Sequence, residues 1–545
     1  MSTTLVASSD PAGEPTTDAG PPDADAGEPP GRPEAEAAPA NRWSRPSDRW
    51  LPVLVAVITA TVHAAGAFRF PALADDEGTY VAQAWAVRGG ELAHYTYWYD
   101  HPPAGWIQLA LLDWLPQALF PDSHPVAASR AVMVLAWVVS GVLVHVLGRR
   151  LGLHPAWAAA AALLTTLSPL TVTLGRQVYL DSLAVPWVLG TFLLITTRRH
   201  HLWMYVAAGA SFGMAVLTKE TVLVLLPAML LALYQHSHRA TRAVSVAGFL
   251  GAFTMTGSAF LLMAVLRGEL VPGAGHVSLI DGILFQLVNR PGSGSVFEPG
   301  SASRVVLDGW LFFDPWIIVL GLAGLPIALA VRRLRPVAVG LLTLTAVACK
   351  PDGYLPAMYV IVALPLLGLV AAGAADAVQG FLLRRRPRLR IPGLAVLAAA
   401  AAAVVLVATP QWAAALDGAT TRSTNGDRIA AEAWLTKRVR PGDVVLADDV
   451  SWVGLVQNGV TPRADTIWFY KMDTDPEIAA ALPGGWRDVD YIVSTDQLRL
   501  AVANDPSLRQ SAEALARSRV VASFGSGPSV VEIRRVFPEP EGSLP

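Results

Sequence analysis

Three consecutive carboxylates, Asp75-Asp76-Glu77, stand a few residues beyond an apolar run that closes near Phe68, and Tyr80 follows them. Like charges this close repel and shift one another's protonation, which suits a general base; a solvated acidic turn is the plain alternative. Further along the same loop comes Tyr95-Thr-Tyr-Trp-Tyr-Asp-His-Pro-Pro103. Between the two, Tyr80, Ala84 and Val87 fall on one helical face, so the loop folds back on a surface instead of waving in water.

A further acid, Asp181, ends the stretch Gly175-Arg-Gln-Val-Tyr-Leu-Asp181 at the mouth of an apolar run. Ionisable groups at membrane boundaries are costly unless solvated or paired, so they mark sites; an Arg176–Asp181 surface pair is the bland reading. Lys219 and Glu220 sit in a tight turn between two apolar runs, and Lys350 precedes Pro351-Asp-Gly-Tyr354. Both lysines fall on the side where basic residues are scarce, and a lipid phosphate held by cations would account for them. Arg290 and Arg304 are weaker candidates of the same kind. Asp76, Glu77, Asp100, His94 and His101 also admit a divalent metal ion, held chiefly by carboxylates such as Asp76 and Glu77. The single cysteine, Cys349, excludes an intramolecular disulfide and reads as a small apolar residue.

The elements that must position these groups are membrane helices. Of 545 residues, 53% are hydrophobic and 15% charged, where a soluble chain carries about 25% charge. Apolar runs occur at Leu51–Phe68, Val126–Leu147, Ala156–Leu170, Ser182–Thr197, Leu202–Leu217, Thr221–Tyr234, Val244–Leu266, Pro315–Val331, Val337–Cys349, Leu355–Val378 and Ile391–Thr409. With roughly 20 residues per crossing, they predict about eleven spans. Ala104–Phe120 is apolar too, but Asp113 and Pro116 interrupt it, so it reads as a helix lying at the interface.

Basic residues gather in every second connection: Arg42/Arg45/Arg49, Arg149/Arg150, Arg198/Arg199, Arg239/Arg242, Arg332/Arg333/Arg335 and Arg384–Arg390. Positive charge collects on the cytoplasmic side, so the N-terminus is expected inside and the C-terminus outside. Every candidate named above except Cys349 then lies on the outer face. Residues 1–41 are rich in Pro, Ala, Gly, Asp and Glu and lack aromatics, which predicts a disordered cytoplasmic tail. The spans occupy 42–409. Residues 410–545 change composition: short β-branched runs (Asp443–Asp448, Tyr491–Thr495, Val520–Phe524, Val530–Val536) alternate with helical stretches (Gly426–Arg438, Pro506–Arg517), which predicts a small extracytoplasmic α/β domain. Gly525–Ser529 joins two strands and opens no helix, so it is not a phosphate loop. Asp448 and Asp449 follow a strand, where ligands bind in α/β folds and where helices also begin.

Asp76, Glu77 and Tyr80, followed by Asp100-His-Pro-Pro103, resemble the first outer loop of the GT-C membrane glycosyltransferases, most of all the bacterial relatives of protein O-mannosyltransferases and the aminoarabinose transferases. The Gly175-Arg…Asp181 stretch is similar to their second acidic motif, and Leu217-Thr-Lys219 and Lys350-Pro-Asp-Gly-Tyr-Leu-Pro356 to their later basic positions. The likeness covers Leu51–Val378. This chain departs in having His101 where the family often has Lys, in the extra acid Asp75, and in its tail.

The resemblance implies a GT-C fold in the plasma membrane and a polyprenyl-phosphate sugar donor. It also implies an acceptor that is a glycan, lipid or protein, and inverting transfer of a hexosyl or pentosyl group. Asp76 would be the base, Glu77 and Asp181 would orient the acceptor or a metal, and Tyr80, His101, Arg176, Lys219, Lys350 and Tyr354 would bind substrate. No nucleotide-binding fingerprint occurs in the cytoplasmic connections and nothing calls for a nucleic-acid partner. Two rivals are a transporter or flippase, which would place charges at mid-membrane and show matching halves, and a cell-envelope scaffold. The chain shows no matching halves.

Overall fold

The structure is a computed structural model that describes residues 47–197, 201–384 and 387–537. The N-terminal tail and Arg42, Arg45, Arg198, Arg199, Arg385 and Arg386 lie outside the described residues.

All eleven apolar runs fall on helices. By length and composition, four segments are fit to cross a membrane: Pro125–Arg150, Arg239–Arg267, Ala357–Leu383 and Arg390–Thr436. The count reaches six if each of two bent pairs is one span, and the remaining apolar helices are shorter. The bends have local causes. Pro155–Leu167 stops at Ser168 and Pro169–Arg176 resumes at 55°; proline cannot continue a helix but suits its first position. Ala302–Phe313 meets Pro315–Ala330 at 102°. There the buried Asp314 carboxylate accepts from the amides of Trp316 (2.9 Å) and Ile317 (3.3 Å), and from Ser168 (2.6 Å) at the other bend. One cap thus ties the two breaks together.

Packing is close where side chains are small. A Cβ on Gly209 would lie 2.1 Å from the Phe249 carbonyl oxygen, so Leu202–Thr218 and Arg242–Arg267 touch backbone to backbone. The expected interfacial segment is two short helices, Ala104–Leu112 and Trp114–Leu119, hinged at Asp113, which Arg88 pairs at 2.6 Å. Leu111, Trp114 and Leu119 are exposed along it.

The helix Pro387–Thr421 runs through Thr409 without a break. Beyond it lies a five-stranded sheet of β1 (Val445–Ala447), β2 (Thr466–Trp468), β3 (Tyr491–Ser494), β4 (Ser518–Phe524) and β5 (Val531–Val536), in the order β2-β1-β3-β5-β4. β1, β2 and β3 are parallel, with Leu446 opposite both Ile467 and Ile492. β5 and β4 join antiparallel. Gly525 and Gly527 take φ of +82° and +70° in the β4–β5 turn, a conformation that glycine reaches without Cβ strain.

Candidate active site

The helix Asp75–Arg88 begins with its three acids in the first turn, where the peptide dipoles favour negative charge. Helical geometry then sends neighbours to different places. Asp76, Thr79 and Tyr80 share one face and line a cavity of about 760 Å³. Glu77 turns into the core. Its carboxylate accepts from Arg130 Nε (2.8 Å) and Nη2 (2.6 Å), and from the amides of Ala74 (3.0 Å) and Val178 (3.0 Å). Arg130 in turn donates to the carbonyls of Ala67 (3.0 Å) and Pro71 (2.9 Å). Both side chains are wholly buried.

The cavity is bounded by Asp75, Asp76, Tyr80, Trp98, Asp100, His101, the segment Asp281–Arg290, and three groups from the tail: Asp449, Tyr470 and Gln497. Asp76 is open to the cavity, which protein encloses in part. This enclosure raises its carboxyl above the ordinary range, against the pull of Lys219 and His101. His101 stands between two charges: its Nδ1 is 3.1 Å from Glu220 and its Nε2 is 3.0 Å from Lys219 Nζ. With the ammonium donating to Nε2, the ring keeps its proton on Nδ1 and donates to Glu220. Burial would strip Lys219 of its proton, but Glu220, Asp181, Asp76 and Asp100 outweigh it and raise the ammonium pKa. The Pro-Pro element places His101 here because Gly105 lets its helix approach the turn, where a Cβ would come within 2.9 Å of the Thr218 carbonyl oxygen. Gln108 also donates to Thr218 Oγ1 at 2.7 Å.

On the opposite wall Arg290 donates to Gln286 Oε1 (2.6 Å), with its guanidinium 3.5 Å from the centre of the Tyr354 ring. Tyr354 thus supports a cation rather than lining the cavity. Asp181 is buried in the first turn of Leu180–Ile195 and, like Asp76, acts electrostatically on Lys219 and His101.

Several sequence candidates fall elsewhere. Arg176 is fully buried and donates to the carbonyls of Ala419 (2.7 Å), Val62 (2.6 Å) and Ala65 (2.7 Å), so it clamps two helix ends together and does not reach the cavity. Lys350 is exposed on its turn and does not line the cavity. Lys219 reaches the cavity only through His101, and Glu220 binds that histidine rather than pairing simply with Lys219. The structure does not bring Asp76 and Glu77 together as a pair. Glu77 is taken up by Arg130 and points away from Asp76, and among the described residues no group of three or more His, Cys, Asp or Glu side chains is placed to hold a metal ion.

The tail residues at the cavity were not foreseen as a set. Only Asp449 had a sequence signal, its position after a strand. Gly78 shows how closely the tail is seated: a Cβ there would lie 2.4 Å from the Val450 amide nitrogen.

Residues 100–263 match the family model described as dolichyl-phosphate-mannose-protein mannosyltransferase, a segment that holds Asp100, His101, Asp181, Lys219 and Glu220 but not Asp76. No curated protein sequence matches the chain. Among solved structures, ArnT from Cupriavidus metallidurans bound to undecaprenyl phosphate is similar at 15% identity and a TM-score of 0.55, over 89% of this chain and 98% of that one. The apo state of the same protein matches at 15% identity and a TM-score of 0.55, over 89% and 97%. The S. cerevisiae protein O-mannosyltransferase Pmt1-Pmt2 complex bound to the sugar donor overlaps at 19% identity, 45% and 38% coverage and a TM-score of 0.33, too slight to build on. The matched segment and the shared fold support the resemblance to the GT-C membrane glycosyltransferases.

Proposed function

We propose that this protein transfers a sugar from a polyprenyl-phosphate-linked donor to an acceptor hydroxyl at the outer face of the plasma membrane. One observation carries the reading: a single cavity is lined by Asp76, Arg290 and His101, with Lys219 behind the histidine. Ionisable groups gathered in one crevice support transfer, whereas a chain of polar groups through the bilayer would support transport.

The donor phosphate lies against Arg290, with the Lys219 ammonium adding its field from behind the His101 imidazole. Asp76 takes the proton from the acceptor hydroxyl as its oxygen attacks the anomeric carbon. The new carbon–oxygen bond forms as the bond to the phosphate oxygen breaks, and that oxygen keeps the electron pair. Charge grows on the leaving phosphate, where cations fixed in a partly enclosed site act more strongly than in water. A single displacement of this kind inverts the anomeric centre. Asp181 and Glu220 keep the Lys219 ammonium charged, and Glu220 orients His101. Glu77 acts at a distance, by fixing the turn from which Asp76 projects.

The basic residues at alternate connections support an outer cavity with the N-terminus inside and the tail outside, as two segments, 42–409 and 410–545, with helix Pro387–Thr421 bridging them. An outer site would meet a glycan, lipid or protein acceptor, and a hexosyl or pentosyl group would fit the mechanism equally. The test is incubation of membranes containing the full chain with a panel of radiolabelled polyprenyl-phosphate sugars. Release of polyprenyl phosphate with label passing to an acceptor or to water is expected from at least one donor. Accumulation of intact donor on the opposite side of sealed vesicles, with no bond broken, would contradict the proposal.

A further inference from the structure

Asp449, Tyr470 and Gln497 come from three separate connections, yet each lies just beyond the carboxyl end of a parallel strand: Asp449 after β1, Tyr470 after β2 and Gln497 after β3. All three line the cavity that holds Asp76. The carboxyl edge of a parallel sheet is where open α/β folds bind ligands, because several loops converge there. Here that edge is turned onto the membrane segment's cavity and forms a roof over it.

The roof has a different chemistry from the wall that carries Arg290 and His101. It offers a carboxyl, a phenol and a carboxamide, and no cation. Thr79 and Tyr470 both donate to Asp449 Oδ2, the tyrosine at 3.2 Å. The other oxygen, Oδ1, is buried with no hydrogen-bond partner among the described residues. A buried acceptor without a partner is costly, and a ligand hydroxyl would satisfy it. Asp75 lies beside this group; Asp449 and Asp448 join burial in pushing its carboxyl up to about 9. Such a surface repels a phosphate and offers nothing to an isoprenoid chain, but it suits a ring that both donates and accepts hydrogen bonds.

The geometry points to a sugar-recognition subsite made by the tail: Asp449, Tyr470 and Gln497 bind the hydroxyls of a pyranose or furanose ring in the cavity and set which glycosyl group is used. This rests on the transfer reading above, and it assigns the tail a role in specificity rather than as a mere cap.

The experiment compares kcat/KM for donors with the same polyprenyl phosphate and different sugars, using wild type, Asp449→Asn, Tyr470→Phe and Gln497→Ala in the full chain. Asp449→Asn is expected to change the ratio between two donors differing at one hydroxyl by about tenfold, the loss of one hydrogen bond. Gln497, half-buried at the rim, gives a variant with little risk to folding. A changed acceptor KM with an unchanged donor ratio would place the acceptor, not the donor's ring, under the roof and would overturn the assignment. Equal losses for every donor together with an unchanged acceptor KM, or no change at all, would overturn it. Wild type inactive with every donor would instead sink the transfer reading, and then only loss of direct sugar-ring binding in Asp449→Asn, read with the free methyl glycosides, would support the subsite; unchanged or absent binding would overturn it.

Discussion

Asp76 and Glu77 are adjacent in the chain and opposite in fate. Asp76 opens onto a cavity with cations across it, whereas Glu77 is sealed in the core with both oxygens occupied by Arg130 and backbone amides. The difference arises from one step of about 100° around a helix that has a cavity on one side and a packed bundle on the other. An acid pair in a sequence can therefore be one reactive group and one structural bolt. The bolt serves the reactive group, since Arg130 also holds the carbonyls of Ala67 and Pro71 that lead into the helix.

The comparison breaks most visibly at the bolt. Arg130→Ala leaves the Glu77 carboxylate buried without its partner, which costs about 3–5 kcal/mol. Loss of folded protein in detergent, read as a large fall in the thermal midpoint, is the expected outcome; an unshifted midpoint would mean that the pair is not structural. On the reactive side, Arg290→Ala removes a cation from the leaving phosphate and should lower kcat by about a hundredfold with the midpoint unchanged. A change in KM alone would mean that Arg290 binds substrate without favouring the transition state.

The third acid of the run sharpens the contrast. Burial, with Asp448 and Asp449 nearby, pushes Asp75 up to about 9. A carboxyl whose pKa is raised on folding stabilises the fold fully below the unfolded value, near 4, and loses that contribution as pH rises through 9. Asp75→Asn should therefore raise the thermal midpoint at pH 9 and leave it nearly unchanged at pH 4. The reverse pattern would mean that Asp75 is held ionised. Smallest is Tyr354→Leu, which removes the ring beneath Arg290. A contact of this kind is worth about 0.5–1 kcal/mol where exposed, so kcat should fall by about two- to fivefold, in the same direction as for Arg290→Ala.

Much of this was legible in the sequence, and the failures are instructive. Each apolar run marked a helix, though Ala302–Phe313 and Pro169–Arg176, which extend two of them across bends, were not read as helical, and β-branched runs marked β1, β3, β4 and β5. β2 was missed because Thr466-Ile-Trp468 is too short to show a period. Asp76 was singled out by its charge and place in the loop, and Tyr80 and His101 by the resemblance of that loop; all three line the cavity. Arg176 and Lys350 were drawn to the site by charge and by short motif likenesses, which say nothing of whether a guanidinium will meet a ligand or backbone carbonyls. The roof of Asp449, Tyr470 and Gln497 was hidden for a different reason. Convergence of loops at a strand edge depends on strand order, and no local pattern in the chain encodes that order.

The most direct test sets Asp76→Asn beside Glu77→Gln. Both proteins are brought to the same folded concentration and mixed with a radiolabelled donor that wild type accepts, in a single turnover. Asp76→Asn should be slower by about 10²–10⁴-fold with a wild-type thermal midpoint, while Glu77→Gln should lose stability and keep most of its rate per folded molecule. Full turnover by Asp76→Asn, or a folded and inert Glu77→Gln, would contradict the division of labour between these two neighbours.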